Sequence, residues 1–272
     1  MEYETLGGDA VPAVGLGTWQ LDSRAAHAAV STALELGYRH VDTAQAYGNE
    51  AGVGRAIAGA AVDRDELFVT TKVHPSNRTV ADIVASVAGS LDRLRLDQVD
   101  LLLIHWPHPL ANLETVMAGL SEAAERGLTR HVGVSNFGVK RLARARAAAD
   151  VPVVTDQVLY HPWWPQRGLT QYAQDAGVVL TAYSPLATGG ALGDDLLATI
   201  GRRYDKTPAQ VAIRWAVQHE GVIAIPRSTS RAHLAENLDV FDFELTPTEM
   251  ADITRPSYLR TGLAMLRGQL GR

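Results

Sequence analysis

The 272-residue chain contains no cysteine. Disulfide bonds, thiolate nucleophiles and cysteine-ligated metals are therefore excluded, and the lack of cysteine fits a reducing compartment. No stretch reaches the roughly eighteen uncharged apolar residues that a membrane-spanning helix requires. The first residues also lack the basic start and apolar core of a signal peptide. We therefore expect a soluble, cytoplasmic protein that does not enter a membrane.

Long runs of like charge are missing as well. The 25 basic and 30 acidic residues give a formal net charge of −5, so we expect no nucleic-acid partner. No charged or Pro-, Gly- or Ser-rich linker divides the chain, and 46% of its residues are hydrophobic, enough for a large core. We predict a single domain over residues 1–272.

The chain alternates short runs rich in Val, Ile, Leu and Thr with longer, Ala-rich amphipathic segments. This alternation predicts βα units around a parallel sheet. An N-terminal hairpin is predicted at 3–6 and 10–13, followed by eight strands at 14–17, 39–42, 67–72, 100–105, 131–135, 153–157, 179–183 and 222–226. Helices are predicted at 23–36, 49–60, 80–94, 113–126, 139–148, 169–176, 195–204, 208–219 and 232–238.

Eight βα units in about 250 residues are typical of a closed (β/α)8 barrel. The alternative is an open, doubly wound sheet. It is disfavoured because residues 15–20, Gly-Leu-Gly-Thr-Trp-Gln, lack the third glycine of the dinucleotide-binding fingerprint. We therefore predict an α/β fold, a (β/α)8 TIM barrel with an N-terminal β-hairpin and a short C-terminal tail.

The stretch from residue 40 to residue 50 combines an acid, a phenol and a helix start. Asp42 ends a predicted strand, Tyr47 lies in the following loop, and Asn49 is predicted to cap the next helix. In a (β/α)8 barrel all strands end at the same face. Lys72 and His105 end the next two strands, so we expect both beside Asp42 and Tyr47.

These four side chains suit proton donation to a carbonyl oxygen while another group delivers hydride. A phenol, with a pKa of about 10, is a poor acid at neutral pH. We expect the ammonium of Lys72 to lower the pKa of Tyr47, and the carboxylate of Asp42 to keep Lys72 charged. A neutral His105 can hydrogen-bond the substrate oxygen.

Each residue alone also has a purely structural explanation. Lys72 fits a solvated lysine, His105 a core histidine, and Asn136 and Gln157 capping groups; their concurrence at one barrel mouth favours a site. His105 and His108 have metal-ligand spacing, but flanking prolines prevent a regular helix and no carboxylate completes the set. We therefore expect no metal.

Many ordered segments resemble those of aldo-keto reductases over essentially the whole chain, most closely the bacterial 2,5-diketogluconate reductase branch with its methylglyoxal-reducing members. The matching segments are 14–19, 41–44 with Tyr47 and 49–50, 70–72, 104–107, 133–137, 156–157, 161–162, 182–186, 225–228 and 236–237. The resemblance implies NADPH, bound across the barrel mouth without a Rossmann fold. It also implies Tyr47 as the general acid, with Lys72, Asp42 and His105 as its partners.

The resemblance further implies the binding residues. Those implied to bind substrate are Trp19, Tyr47, His105 and Trp106. Those implied to bind the cofactor are Thr18, Ser135, Asn136, Gln157, Tyr183, Ser184, Leu186, Arg227, Ser228, Thr229, His233, Glu236 and Asn237. The family commonly has Lys where Arg227 stands and Arg where His233 stands. Arg227 still offers a cation to the 2'-phosphate, so we expect NADPH to be preferred, with NADH as a weaker alternative.

We therefore predict an NADPH-dependent oxidoreductase that reduces aldehydes and ketones, including α-dicarbonyls or keto-sugar acids, to alcohols. A closed barrel has no free sheet edge, so a monomer is expected. Two alternatives stay open: a Schiff-base lyase that uses Lys72 as nucleophile, and an NADP-binding redox-sensing subunit with little turnover. The tail, 256–272, is a candidate lid.

Overall fold

The structure is a computed structural model that describes residues 1–270, with side chains through Leu266. A hairpin of β1 (Tyr3–Leu6) and β2 (Asp9–Pro12) precedes an eight-stranded sheet. All neighbouring strands of that sheet are parallel and follow one another in chain order. They are β3 (Leu16–Gly17), β4 (His40–Asp42), β5 (Phe68–Val73), β6 (Val99–Ile104), β7 (Thr129–Ser135), β8 (Val153–Leu159), β9 (Val179–Tyr183) and β10 (Val222–Ala224).

The sheet closes on itself between its first and last strands. Val14, just before β3, forms a parallel bridge with Ala224 of β10, and Gly15 donates its N–H to the Ala224 carbonyl at 2.9 Å. Gly17 makes this closure possible, because a Cβ there would lie 2.7 Å from the carbonyl oxygen of Ile225. The predicted (β/α)8 barrel is therefore confirmed, and β9 and the first hairpin strand occur at the predicted bounds.

Helices surround the barrel in the predicted order. They are α1 (Ser23–Glu35), α2 (Glu50–Ala58), α3 (Val80–Leu94), α4 (Leu113–Glu125), α5 (Val139–Ala148), α6 (Arg167–Asp175), α7 (Asp195–Tyr204), α8 (Pro208–Val217), α9 (Arg231–Leu238), α10 (Pro247–Ile253) and α11 (Tyr258–Leu270). Within residues 1–270, none of these helices combines the length and apolar character needed to cross a membrane.

The two last helices, α10 and α11, were not predicted. α10 begins with a capping box in which Thr246 and Glu249 exchange hydrogen bonds. α11 packs against a 3-10 segment, Ala187–Gly193, where Trp163, Ala187 and Ala264 form a small buried cluster. The tail is therefore helical from Tyr258 to Leu270, and residues 271–272 of the predicted tail lie outside the described part of the chain.

The hairpin closes the amino-terminal end of the barrel. Leu6 and Val11 are buried in the barrel interior together with Leu103 of β6 and Ile223 of β10. Asp9, in β2, accepts hydrogen bonds from the side chains of the residues that begin β7. Because this end is filled, the carboxyl ends of the strands form the mouth in which functional groups can lie.

Candidate active site

A buried ion pair lies at the centre of the mouth. Lys72, at the end of β5, is fully buried, and burying its charge is costly unless the charge is paired. Its Nζ donates to Oδ1 of Asp42 at 2.5 Å, to the carbonyl oxygen of Thr43 at 2.9 Å and to the Tyr47 hydroxyl at 3.2 Å. An ammonium has three N–H donors, and these three acceptors use all of them. The orientation of the ammonium is therefore fixed.

Asp42 accepts hydrogen bonds from residues in or next to three other strands. Its Oδ2 accepts a hydrogen bond from Nε2 of Gln157, in β8, at 2.7 Å. Its backbone carbonyl accepts the Thr18 hydroxyl at 2.9 Å and the Thr18 N–H at 3.0 Å. Thr18, predicted to contact the cofactor, is thus fully buried with its hydroxyl used by the protein, where it positions Asp42.

Tyr47 ends a short 3-10 helix, Gln45–Tyr47, that follows β4. Gly48 then adopts a left-handed conformation (φ 67°), which glycine takes without steric cost. The predicted capping hydrogen bond from Asn49 to α2 is absent. Asn49 instead donates to the carbonyls of Thr18 and Leu21 at 2.8 and 2.9 Å, so its amide ties the loop after β3 to the Tyr47 loop.

The pKa of Tyr47 is raised, whereas we expected the charge of Lys72 to lower it. Burial raises the pKa of Tyr47, the charge of Lys72 lowers it by less, and the net pKa lies above its usual value. Burial lowers the pKa of Lys72, but the charge of Asp42 and then Tyr47 raise it, with a net increase. The expected net lowering of the Tyr47 pKa is therefore wrong. At neutral pH the phenol keeps its proton, and Lys72 is a cation.

His105 lies edge-on to Tyr47, with 5.4 Å between the ring centroids. Burial first, and the charge of Lys72 second, lower the pKa of His105 to about 3, so its ring is neutral at physiological pH. Its Nδ1 is buried without a hydrogen-bond partner among the described residues. A buried N–H without an acceptor is the costlier state, so we place the ring proton on Nε2. His105 is then a neutral hydrogen-bond donor.

A second set of predicted residues forms one hydrogen-bonded group beside His105. Asn136 has a left-handed backbone (φ 65°), which asparagine tolerates better than most residues. Its Nδ2 donates to the His105 carbonyl at 3.2 Å and to Oγ of Ser135 at 2.9 Å, and its Oδ1 accepts the Tyr183 hydroxyl at 2.8 Å. Ser135 donates to the Gln157 carbonyl at 2.7 Å. The structure thus brings together the side chains of Ser135, Asn136 and Tyr183 and the backbone carbonyl of Gln157.

The remaining predicted cofactor residues lie around α9 and in the segment after β9. Arg227, Thr229 and His233 are exposed around the N-terminus of α9, where the Ser228 hydroxyl accepts the N–H of Ser230 at 3.2 Å. Ser184 and Leu186 precede the 3-10 segment Ala187–Gly193, and Glu236 and Asn237 lie in the last turn of α9, with Asn237 buried.

The predicted substrate walls are exposed at the mouth: Trp19 is 40% exposed and Trp106 49%. Trp106 stacks on His105 with 6.5 Å between ring centroids. A cavity of about 250 Å³ lies beside Trp106, bounded by the loops after β5 and β6 and by α5, and not over Tyr47. Its lining includes His74 and Arg141, which sequence reasoning missed. Among residues 1–270, no three His, Asp or Glu side chains are grouped to hold a metal ion.

The sequence model of the Aldo/keto reductase family matches residues 13–256. The methylglyoxal reductase DkgB of Salmonella typhimurium is 44% identical over 238 residues, which cover 86% of this chain and 89% of the relative.

Two solved structures are similar in fold. A structure described provisionally as a 2,5-diketo-D-gluconic acid reductase B has a TM-score of 0.91 at 42% identity and covers 93% of this chain and 90% of its own. The aldose reductase of Schistosoma japonicum has a TM-score of 0.89 at 31% identity and covers 96% of both chains.

The lowered pKa values of two buried histidines predict that the folded protein loses stability in acid. Burial lowers the pKa of His40, inside the barrel, from 6.5 to about 4, and lowers that of His161 to about 4. The unfolded chain binds these protons first, so the contribution of the two histidines to native stability is full above pH 6.5 and falls as the pH drops towards 4. For His40 the loss is about 3 kcal/mol.

We expect the free energy of unfolding in urea to fall between pH 6.5 and 4.5, and the variant His40→Gln to fall less steeply. The exposed His233, changed to Gln, is the matched control and should leave the slope unchanged. If the free energy of unfolding of His40→Gln varied with pH in parallel with that of the wild type, His40 would not account for the acid sensitivity, and its pKa in the folded protein would not be lowered.

Proposed function

The chain belongs to the aldo/keto reductase family, and on that premise we propose that it is an NADPH-dependent reductase of aldehydes and ketones. Its substrates include α-dicarbonyls such as methylglyoxal or keto-sugar acids such as 2,5-diketogluconate, and its products are alcohols. The observation that carries the proposal is the contact of the Tyr47 hydroxyl with Lys72, itself paired with Asp42. The names of a relative and of a structural neighbour support the substrate classes.

Tyr47 is the proton donor in this mechanism. Its raised pKa keeps the phenol protonated before the reaction, which is the form that carbonyl reduction needs. As the proton leaves, charge develops on the phenolate oxygen, and the ammonium of Lys72 stabilises that charge from 3.2 Å. Asp42 keeps Lys72 charged and oriented without contacting the substrate.

His105 orients the carbonyl. A neutral ring with its proton on Nε2 donates a hydrogen bond to the substrate oxygen and carries no charge that would compete with Lys72. The T-shaped contact of His105 with Tyr47, with 5.4 Å between the ring centroids, supports a shared oxygen site for the two donors. Trp19 and Trp106 are apolar walls that leave room for several carbonyl compounds.

The donor set of the mouth fits a nicotinamide cofactor, which supplies the hydride when bound. Hydroxyl and amide groups of Ser135, Asn136 and Gln157 match the donors and acceptors of a carboxamide. Tyr183, hydrogen-bonded to Asn136, offers a ring face for stacking. Arg227, Ser228 and Thr229 present a cation and hydroxyls at the start of α9, which suits the 2'-phosphate of NADP.

We extend the proposal to the whole chain as one domain that acts as a cytoplasmic monomer. The Schiff-base lyase is disfavoured because an attacking lysine must be unprotonated and reachable, whereas Lys72 is buried and has a raised pKa. The sensing-subunit alternative differs from the reductase in turnover, which the next experiment measures.

Changing Tyr47 to Phe removes the proton donor and keeps the ring. We expect carbonyl reduction to fall by a factor of about 10² to 10⁴ while NADPH binding stays within about twofold, because proton transfer contributes about that factor. NADPH oxidation is followed by absorbance with methylglyoxal and with a keto-sugar acid, and binding by quenching of tryptophan fluorescence. Wild-type turnover in this variant would remove Tyr47 from the chemistry. Binding without turnover in the wild type would favour the sensor.

Arg227 is the proposed discriminator between NADPH and NADH. A charge-assisted hydrogen bond contributes about 1.5–3 kcal/mol, so Arg227→Ala should weaken NADPH binding by about tenfold or more and NADH binding by little. Arg231→Ala is the control, since Arg231 is already paired with Glu35 at 2.7 Å. Equal losses for both cofactors would mean that Arg227 does not contact the 2'-phosphate.

A further inference from the structure

Gln45, two residues before Tyr47, joins three elements through its side-chain amide. Its Nε2 lies 3.1 Å from the carbonyl oxygen of Ser86 and 3.0 Å from Oγ of Ser90, both in α3. Its Oε1 accepts the backbone N–H of His74 at 2.8 Å, in the loop after β5. One half-buried side chain therefore ties the Tyr47 turn to a helix and to the loop that follows Lys72.

The orientation of this amide is fixed by its partners. The N–H of His74 can only donate, so it must face Oε1, and the carbonyl of Ser86 can only accept, so it must face Nε2. Rotating the amide by half a turn would set Nε2 against the N–H of His74, which is also a donor, and Oε1 against the carbonyl of Ser86, which is also an acceptor. Gln45 is therefore matched to this position by chemistry as well as by length.

Among the described residues, the side chain of Gln45 supplies the hydrogen bonds that connect the turn carrying Tyr47 to α3 and to the loop after β5. This segment is a single 3-10 turn, closed by the backbone bonds from Tyr47 N–H to the Ala44 carbonyl at 3.1 Å and from Gly48 N–H to the Gln45 carbonyl at 3.2 Å. Ala46, between Gln45 and Tyr47, is exposed. After Tyr47 the chain is anchored by buried Glu50, which accepts the Thr71 hydroxyl at 2.6 Å.

We propose that Gln45 is a positioning residue for proton transfer: it fixes the turn so that the Tyr47 hydroxyl stays within hydrogen-bond distance of Lys72. This inference rests on the proposed role of Tyr47 as proton donor. The mouth needs such a device because the contact between the hydroxyl and Nζ, at 3.2 Å, is already the longest of the three that Lys72 makes. A small shift of the turn would break it, since hydrogen bonds weaken steeply with distance.

The test variant is Gln45→Met, which keeps the length of the side chain and removes its hydrogen bonds. We expect kcat for carbonyl reduction to fall by about tenfold or more, because misplacing a reacting group by about 1 Å can cost about 10² in rate. The dissociation constant for NADPH, measured by fluorescence quenching, should stay within about twofold. Gln98→Met is the matched control: its Nε2 donates to the Gly127 carbonyl near the amino-terminal end of the barrel, and it should leave kcat unchanged.

The decisive readout is the same substitution in a Tyr47→Phe background, measured as the rate of a single turnover with enzyme in excess. If Gln45 acts through Tyr47, Gln45→Met should not lower the residual rate by more than about twofold. An equal loss in both backgrounds would overturn the proposal, since it would reflect general loosening of the mouth. Wild-type kcat in Gln45→Met would overturn it as well.

Failure of this inference is distinguishable from failure of the proposed function. Full turnover by Tyr47→Phe alone would remove the proton donor and the role of Gln45 with it. If Tyr47→Phe lost carbonyl reduction while Gln45→Met kept the wild-type kcat, only the proposed role of Gln45 would be contradicted. If Gln45→Met does not fold, Gln45→Glu replaces it: ionised, it keeps an acceptor for His74 and sets an oxygen against the Ser86 carbonyl. The same loss of kcat is expected, and wild-type kcat would again contradict the proposal.

Discussion

Much of the mouth is arranged around a lysine charge placed inside the protein. An ammonium taken out of water is tolerated only where its donors and its charge are both matched. Lys72 meets this condition with a carboxylate, a backbone carbonyl and a phenol. Asp42 and Thr43 come from the end of β4, the strand that pairs with β5, so the register of two adjacent strands brings the charge and its acceptors together.

The same ion pair accounts for the balance of protonation states in the mouth. Burial alone would hold the proton on Tyr47 more tightly still, and the nearby cation reduces that effect without reversing it. The cation also helps to keep His105 neutral. A protonated phenol and a neutral imidazole can both donate a hydrogen bond, and the proposed reduction of a carbonyl uses both donors. Support from other loops, through Asn49 and Gln45, keeps these groups in register.

The sequence predicted the barrel and the members of the mouth because both depend on local patterns. Buried strands appear as β-branched runs, and a side chain that directly follows such a run, as Lys72 and His105 do, must lie at the barrel mouth. Hydrogen bonds between distant loops have no such pattern. Asn49 stands where a helix cap belongs, yet its amide serves the loop after β3, and nothing in the sequence marks Gln45 apart from its nearness to Tyr47.

Two other differences between the predictions from sequence and the structure have identifiable physical causes. Helix α10 carried a readable signal, Thr246-Pro247 followed by Glu249, which fits a capping box with proline at the first position. The pKa of Tyr47 was expected to fall because the cation could be inferred from the sequence, whereas the degree of burial could not. Desolvation is a property of the packed mouth, and here it exceeds the effect of one neighbouring charge.

The proposal that Asp42 supports proton donation by Tyr47 through the charge of Lys72 is best examined by a double-mutant cycle on the rate of NADPH oxidation in a single turnover at saturating NADPH. Lys72→Met and Asp42→Asn are measured alone and together. We expect a large loss for each single variant and a double variant within about threefold of Lys72→Met, because groups that act as one unit are not additive. Losses that multiply in the double variant would contradict the proposal and assign Asp42 a separate role.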